Sequence, residues 1–314
     1  MAKRDLSRNL PAKKYSHSNP TELRLSFEFS GNSTQFIDIA KAVSAINRKF
    51  LSQQAYYYVS KVELYNDEDA FVDIHTVPDN WVTKNAYKRA RALFEKQNAM
   101  LDPGVSGIAS APYYDFKVFM SERHRTTGSA EPNLYDINSA AAPFAADEWV
   151  YSQLVSADDD GDATQEADNF YLHLLGGHTG SAANWTSVGI IKSYAESRTT
   201  VAAGGTESMI DSADPLMNLF DSSSEEQIND IITRLTADND LPPYDRDVYV
   251  GENIDMAHQA RLVTTATLGR TDTAPGFCAP FGLICVDPQN TATSYRIVVT
   301  LAPGTYHGVY AERV

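Results

Sequence analysis

The sequence predicts a mainly β protein built from two strand-rich halves, with one amphipathic helix in each. Three observations carry this prediction. Apolar and polar residues alternate with period two in several short runs, the mark of strands with one buried and one wet face. Aromatic residues reach 11%, with 17 Tyr, and aromatics suit a pleated surface. Glycine, proline and asparagine punctuate the chain between the alternating runs. Many short strands separated by turns belong to sandwiches, barrels or jelly rolls, and 314 residues suffice for two such sandwiches.

The elements follow in order. Residues 1–20 form a basic arm carrying Lys3, Arg4, Arg8, Lys13 and Lys14, with Pro11 and Pro20 and little apolar content, so it is expected to order only with partners. Residues 23–29 are the clearest strand: Leu23, Leu25, Phe27 and Phe29 alternate with Glu22, Arg24, Ser26 and Glu28, and Gly31-Asn32 closes it. Val43, Ile46, Asn47 and Phe50 fit a helical stripe. Residues 56–65 and 71–77 read as strands. A long helix is expected from Asp79, with Val82, Ala86, Ala90, Leu93 and Phe94 on its apolar side and Lys84, Lys88, Arg89, Arg91 and Lys96 on the other. Strands are expected again at 113–120 and 149–155. The run Asp158-Asp159-Asp160-Gly161-Asp162 reads as a linker or exposed loop, which places the boundary between halves near residue 160.

The second half repeats this grammar. Strands are expected at 170–175, 187–194, 198–202, 248–250, 260–267, 281–286, 295–301 and 306–313. A helix is expected at 223–235, where Ser223 and Glu226 have capping-box spacing and Ile228, Ile231, Ile232 and Leu235 form the stripe. The resulting division is an arm at 1–20, a first half at 21–160 and a second at 161–314.

The net charge of −15 is unevenly spread: residues 1–125 carry 18 Lys+Arg against 14 Asp+Glu, and residues 126–314 carry 8 against 27. Such a split suits two parts that face different surroundings, although a solvated acidic surface that aids solubility accounts for it equally well. No apolar run reaches the ~20 residues of a membrane helix, and no apolar stretch follows the charged N-terminus as a secretory signal requires. Cys278 and Cys285 are expected to be buried thiols, unless their strands face each other and let them bridge.

Tests for catalytic chemistry fail at named positions. Gly176-Gly177 and Gly204-Gly205 lack the spacing that cradles phosphate, and Ser208 after Gly204 lacks the closing glycine of a nucleophile elbow. His173 and His178 stand either side of Gly176-Gly177 and read as turn or surface residues, not metal ligands. In the acidic run, with Gly161 as sixth loop position, Ser156 and Ala167 would occupy the terminal positions where an EF-hand needs carboxylates. A looser calcium site of oxygen ligands stays open there. No carboxylate pair stands out among 41 acidic residues. The expectation is a protein that is not an enzyme, with no catalytic, cofactor or metal residues.

The arrangement resembles the double jelly-roll major capsid proteins of tailless icosahedral bacteriophages with an internal membrane, of the lipid-containing flavobacterial phage and corticovirus type. The resemblance rests on the arm through Lys14, residues 23–29, the segment Val77-Pro78-Asp79-Asn80-Trp81-Val82-Thr83-Lys84-Asn85, and closing strands at 295–301 and 306–313 around Pro303-Gly304. It implies two tandem eight-stranded antiparallel jelly rolls, 21–160 and 161–314, each with an inserted helix. It implies a homotrimer that tiles the virion shell by self-assembly after synthesis in the host cytoplasm. Its partners would be neighbouring capsomers, a vertex protein and lipid headgroups, with no sequence-specific nucleic-acid binding. Lys3, Arg4, Arg8, Lys13, Lys14, Lys84 and Lys88 would then face the membrane or interior. The alternative is a secreted or cell-surface β-sandwich binding module of lectin type. A jelly-roll hydrolase or isomerase is a third class, with no residue in its favour.

Overall fold

The computed structural model describes residues 21–99, 113–135, 141–155, 169–181, 184–197, 243–244, 248–267, 269–290, 294–306 and 308–314. The basic arm, the acidic run at 158–162, the strand at 198–202 and the helix at 223–235 lie outside them. The described chain is mainly β, with several antiparallel sheets, none of them closed.

In chain order the elements are β1 (Arg24–Ser30), β2 (Gln35–Asp38), α1 (Ile39–Asn47), β3 (Ala55–Tyr65), β4 (Ala70–Thr76), α2 (Trp81–Ala99), β5 (Phe119–Ser121), α3 (Glu122–Thr127), β6 (Asn133–Tyr135) and β7 (Ala141–Pro143). There follow β8 (Gln153–Val155), β9 (Asn169–Leu175), β10 (Thr179–Ser181), β11 (Asn184–Gly189), α4 (Ile190–Glu196), β12 (Ala257–Thr264), β13 (Thr271–Pro280), β14 (Leu283–Pro288), β15 (Ser294–Leu301), β16 (Pro303–Tyr306) and β17 (Ala311–Arg313).

Two compact units interleave in sequence. Unit 1 takes the described residues within Met1–Thr76, Thr127–Val150 and His258–Val314, and unit 2 those within Val77–Thr126 and Tyr151–Ala257. The units therefore differ from the sequential halves expected at 21–160 and 161–314. The expectation followed a repeating local grammar, whereas compactness follows strand pairing between distant segments.

Unit 1 contains two sheets around one core. The first runs β1-β15-β3-β13, with β17 also on β3; the second runs β12-β4-β14-β2. Period two places Leu25, Phe27 and Phe29 of β1 inward, opposite Val299, Ile297 and Tyr295 of antiparallel β15. Tyr57, Val59, Val62 and Leu64 of β3 join them, and Ile37, Val72, Ile74, Ile284, Val286 and Leu262 of the second sheet complete the same cluster. Full burial of each such side chain stabilises by roughly 1.5–3 kcal/mol. The opposite residues of β1 and β3 carry charge: Arg24 donates to Glu63 at 3.1 Å, and Lys61 pairs with Glu63 at 2.9 Å.

Two details fix the corners of unit 1. Asp38 is fully buried, accepts from the Lys41 backbone N–H at 3.1 Å as the N-cap of α1, and accepts from the Gln53 amide at 3.2 Å. Between β13 and β14, Phe281 (φ 59°) and Gly282 (φ 68°) turn the chain from one sheet to the other. A side chain at Gly282 would meet the Tyr57 ring at 2.9 Å, so both backbone conformation and space require glycine there.

Unit 2 holds a sheet in the order β10-β11-β9-β5, with β8 also on β9. β9 is antiparallel to β8 but parallel to β5 and β11, a departure from the purely antiparallel pairing expected. Parallel strands need crossovers and covered faces. The cover comes from the helices: Ala86 and Ala90 of α2 and Ile190 of α4 are buried, as are Leu154, Leu172 and Leu174 of the sheet. Residues 187–194, expected as one strand, divide at Gly189 into the end of β11 and the start of α4. Residues 248–250 form no strand; the Glu252 N–H returns to the Tyr249 carbonyl at 2.9 Å in a turn.

Candidate interaction surface

In unit 2, parallel pairing sets β9 beside β11 and brings His173 next to Ser187. His173 Nδ1 lies 2.6 Å from Ser187 Oγ, and Nε2 lies 2.9 Å from the Gly177 carbonyl. A carbonyl only accepts, so Nε2 carries the hydrogen and the Ser187 hydroxyl donates to Nδ1. Burial lowers the proton affinity of His173 and favours the neutral ring. A hydroxyl donating to a neutral imidazole is chemically an activated arrangement. Both side chains have zero exposure, however, so the pair ties β9 to β11 and to the Gly176-Gly177 turn. His173 is a core residue, contrary to the turn or surface position expected. His178 accepts from the Gly189 N–H at 3.1 Å and lies 3.1 Å from Glu196. Lys192 completes the set, pairing with Glu252 at 3.1 Å and Glu196 at 3.5 Å.

In unit 1, Asp73 of β4 receives both Arg261 donors of β12, at 2.7 and 2.8 Å. These bonds, opposed by burial, hold the Asp73 carboxyl below its ordinary proton affinity. His258 approaches the same carboxylate at 3.4 Å, and its ring meets His75 edge-on at 5.2 Å. On the other sheet, Arg296 lies over the Tyr135 ring at 4.4 Å and the Tyr135 hydroxyl donates to Glu28 at 3.0 Å. Tyr58 and Tyr310 pack at 4.4 Å beside Glu312, to which Tyr58 donates at 3.2 Å. Among the described residues no three of His, Cys, Asp and Glu converge as metal ligands. Cys278 and Cys285 are not joined in a disulfide and lie one on each sheet.

Of the basic residues singled out in the sequence, Lys3, Arg4, Arg8, Lys13 and Lys14 fall outside the described residues. Lys84 and Lys88 lie on α2. Lys84 pairs with Asp79 at 3.0 Å, while Lys88 is exposed. Arg91 pairs with Glu95 at 2.7 Å, and Arg89 donates to Ser197. The cationic face is thus partly neutralised by local partners. A small cleft of about 110 Å³ lies between α2 and α4, lined by Ala90, Leu93, Leu172 and Ile190 with Arg89 beside them.

Unit 2 also exposes apolar side chains that the sequence reading missed. Trp81 is 50% exposed and meets Tyr249 edge-on at 6.5 Å. Val248, Val250, Ile254 and Tyr244 are all more than half exposed. Residues 248–250, Val-Tyr-Val, read as a strand in the sequence. The signal against it was Gly251 directly after, which takes φ 95° and ends the extended run.

No protein-family model, curated protein or solved structure matches this chain.

Proposed function

We propose that unit 1 is a jelly roll and that the chain is a structural capsid subunit. The observation that carries this reading is strand order. Counting the sandwich strands β1, β2, β3, β4, β12, β13, β14 and β15 as first to eighth, the sheets run first-eighth-third-sixth and second-seventh-fourth-fifth. That is the order of an eight-stranded double Greek key, an architecture of viral shells and of lectins. In this reading unit 2 fills the connection between fourth and fifth strands. The parallel pairs among its described strands support an inserted unit over a second copy of the same roll.

A shell subunit needs surfaces for its own copies. The exposed Trp81, Val248, Val250 and Ile254 offer apolar groups for one, since exposed apolar surface marks association sites. The assembly we infer is a homotrimer that contacts neighbouring capsomers and a vertex protein in the virion of a bacteriophage. Its basic arm and the Lys84–Lys88 face of α2 meet anionic lipid headgroups of an internal membrane.

Light scattering coupled to size exclusion, followed by negative-stain imaging, tests the reading. A trimer that forms shells or tiles is expected. A stable monomer that binds glycans saturably would replace the capsid reading with the lectin-like one, for which the Tyr58–Tyr310 pair is the natural platform. The lipid contact has its own test. Neutralising Lys84 and Lys88 to Gln should weaken binding to anionic vesicles by about fivefold per residue, since each surface cation contributes about 1 kcal/mol. Unchanged binding rejects that contact.

A further inference from the structure

We propose that the contact of the His75 and His258 rings forms an acid-sensitive latch that holds the first residues of β12 on β4, and that protonating the half-buried His75 ring releases them. The strand begins at Ala257, and His258 is the residue at which the chain returns from unit 2 to unit 1. Three side-chain tethers link β12 to β4. Arg261 forms the bidentate bond to Asp73, Gln259 donates to Thr76 at 2.8 Å, and His258 stands between Asp73 and the His75 ring.

Among the described residues, the charged or titratable groups that face His75 come from β12, its own strand and β14. His258 and Arg261 face it from β12, and Asp73 is on its own strand. From β14, Cys285 stands opposite His75 and Asp287 opposite Asp73. Asp287 is already engaged by the Thr34 hydroxyl and the Gln289 amide, both at 2.7 Å. Asp73 is engaged by Arg261. His75 Nδ1 is buried and has no hydrogen-bond partner, so a second proton on this ring finds no acceptor there. That proton would also place a cation beside His258 and Arg261.

Burial, and then the neighbouring His258, lower the proton affinity of His75. The sign follows from linkage. A histidine whose affinity is depressed in the folded state binds fewer protons there than when released, so the closed contact weakens as pH falls below about 6.5. Asp73 stays ionised through that window, because its own affinity is lowered. The Arg261 tether therefore outlasts the histidine contact, and release is confined to the start of the strand.

Hydrogen exchange on the intact chain, corrected for intrinsic rates, tests the latch. Between pH about 6.5 and 5.5, protection of residues 257–260 should fall by about three- to fivefold, the response of one histidine that titrates near 6.5 only when released, while residues 261–264 keep theirs. His258→Asn, at an exposed ring, and His75→Gln should each abolish that pH response. Circular dichroism at neutral pH confirms that a variant is folded before it is scored, and if His75→Gln fails to fold, His258→Asn decides alone. Protection of 257–260 that does not change with pH, or an undiminished response in a folded variant, overturns the proposal.

Discussion

Single residues in this protein act mainly through buried polar contacts with few partners. Asp38 caps α1 and satisfies the Gln53 amide from a fully buried position. Asp38→Ala should therefore lower stability by about 2–4 kcal/mol, a lost cap plus a stranded amide, as measured by urea denaturation. Asp73 behaves differently, because its carboxyl is held below its ordinary affinity by Arg261. The stability it contributes is present above about pH 3.9 and is lost as pH falls through its folded-state value. Asp73→Asn should flatten the melting-temperature profile in that acid range and lower stability at neutral pH, which calorimetry at several pH values would detect. His173 shows the limit of reading single residues from sequence. Its neighbour Gly176 suggested a turn, yet the ring packs inside because Ser187 and the Gly177 carbonyl meet both nitrogens.

At the scale of elements, alternation and helical stripes were legible wherever one face is buried. β1, β3 and β15 lie within a residue or two of where period two placed them. Phe27→Ala should cost about 3–5 kcal/mol, the cost of a cavity in the shared core, read as a shift in denaturation midpoint at constant slope. The helix expected from Asp79 is α2, and Val82, Ala86, Ala90 and Phe94 are buried as the stripe requires, while Leu93 stays 47% exposed. β13 was not legible. Its Thr, Asp, Pro and Gly content resembles a loop, but β3 pairs with it over most of its length. At Gly276 an added side chain would sit 2.7 Å from the Ser60 and Val59 carbonyl oxygens, so this glycine permits close pairing and does not break the strand. The junction of β11 and α4 obeys the same logic: a side chain at Gly189 would meet the Gly176 carbonyl at 2.1 Å. Gly189→Ala should destabilise by about 1–3 kcal/mol, checked by thermal melting.

The whole molecule depends on pairings between the two ends of the chain. Both sheets around the core of unit 1 take strands from before residue 77 and from residue 257 onward. A fragment ending at residue 160 lacks β12 to β15 and should not fold, as loss of near-ultraviolet circular dichroism would show. A fragment with native-like signals would contradict the interleaved units. Period, charge and turn residues determined the β class, the main strands and α2, because those features depend on which face of a short segment is apolar. The candidate basic face was legible for the same reason. Tertiary structure alone decided that β1 lies beside β15, that unit 2 interrupts the sandwich, and that His75 meets His258. Those outcomes depend on which distant strands share a core, and period two records only which face of a strand is buried, not the strand that lies beside it.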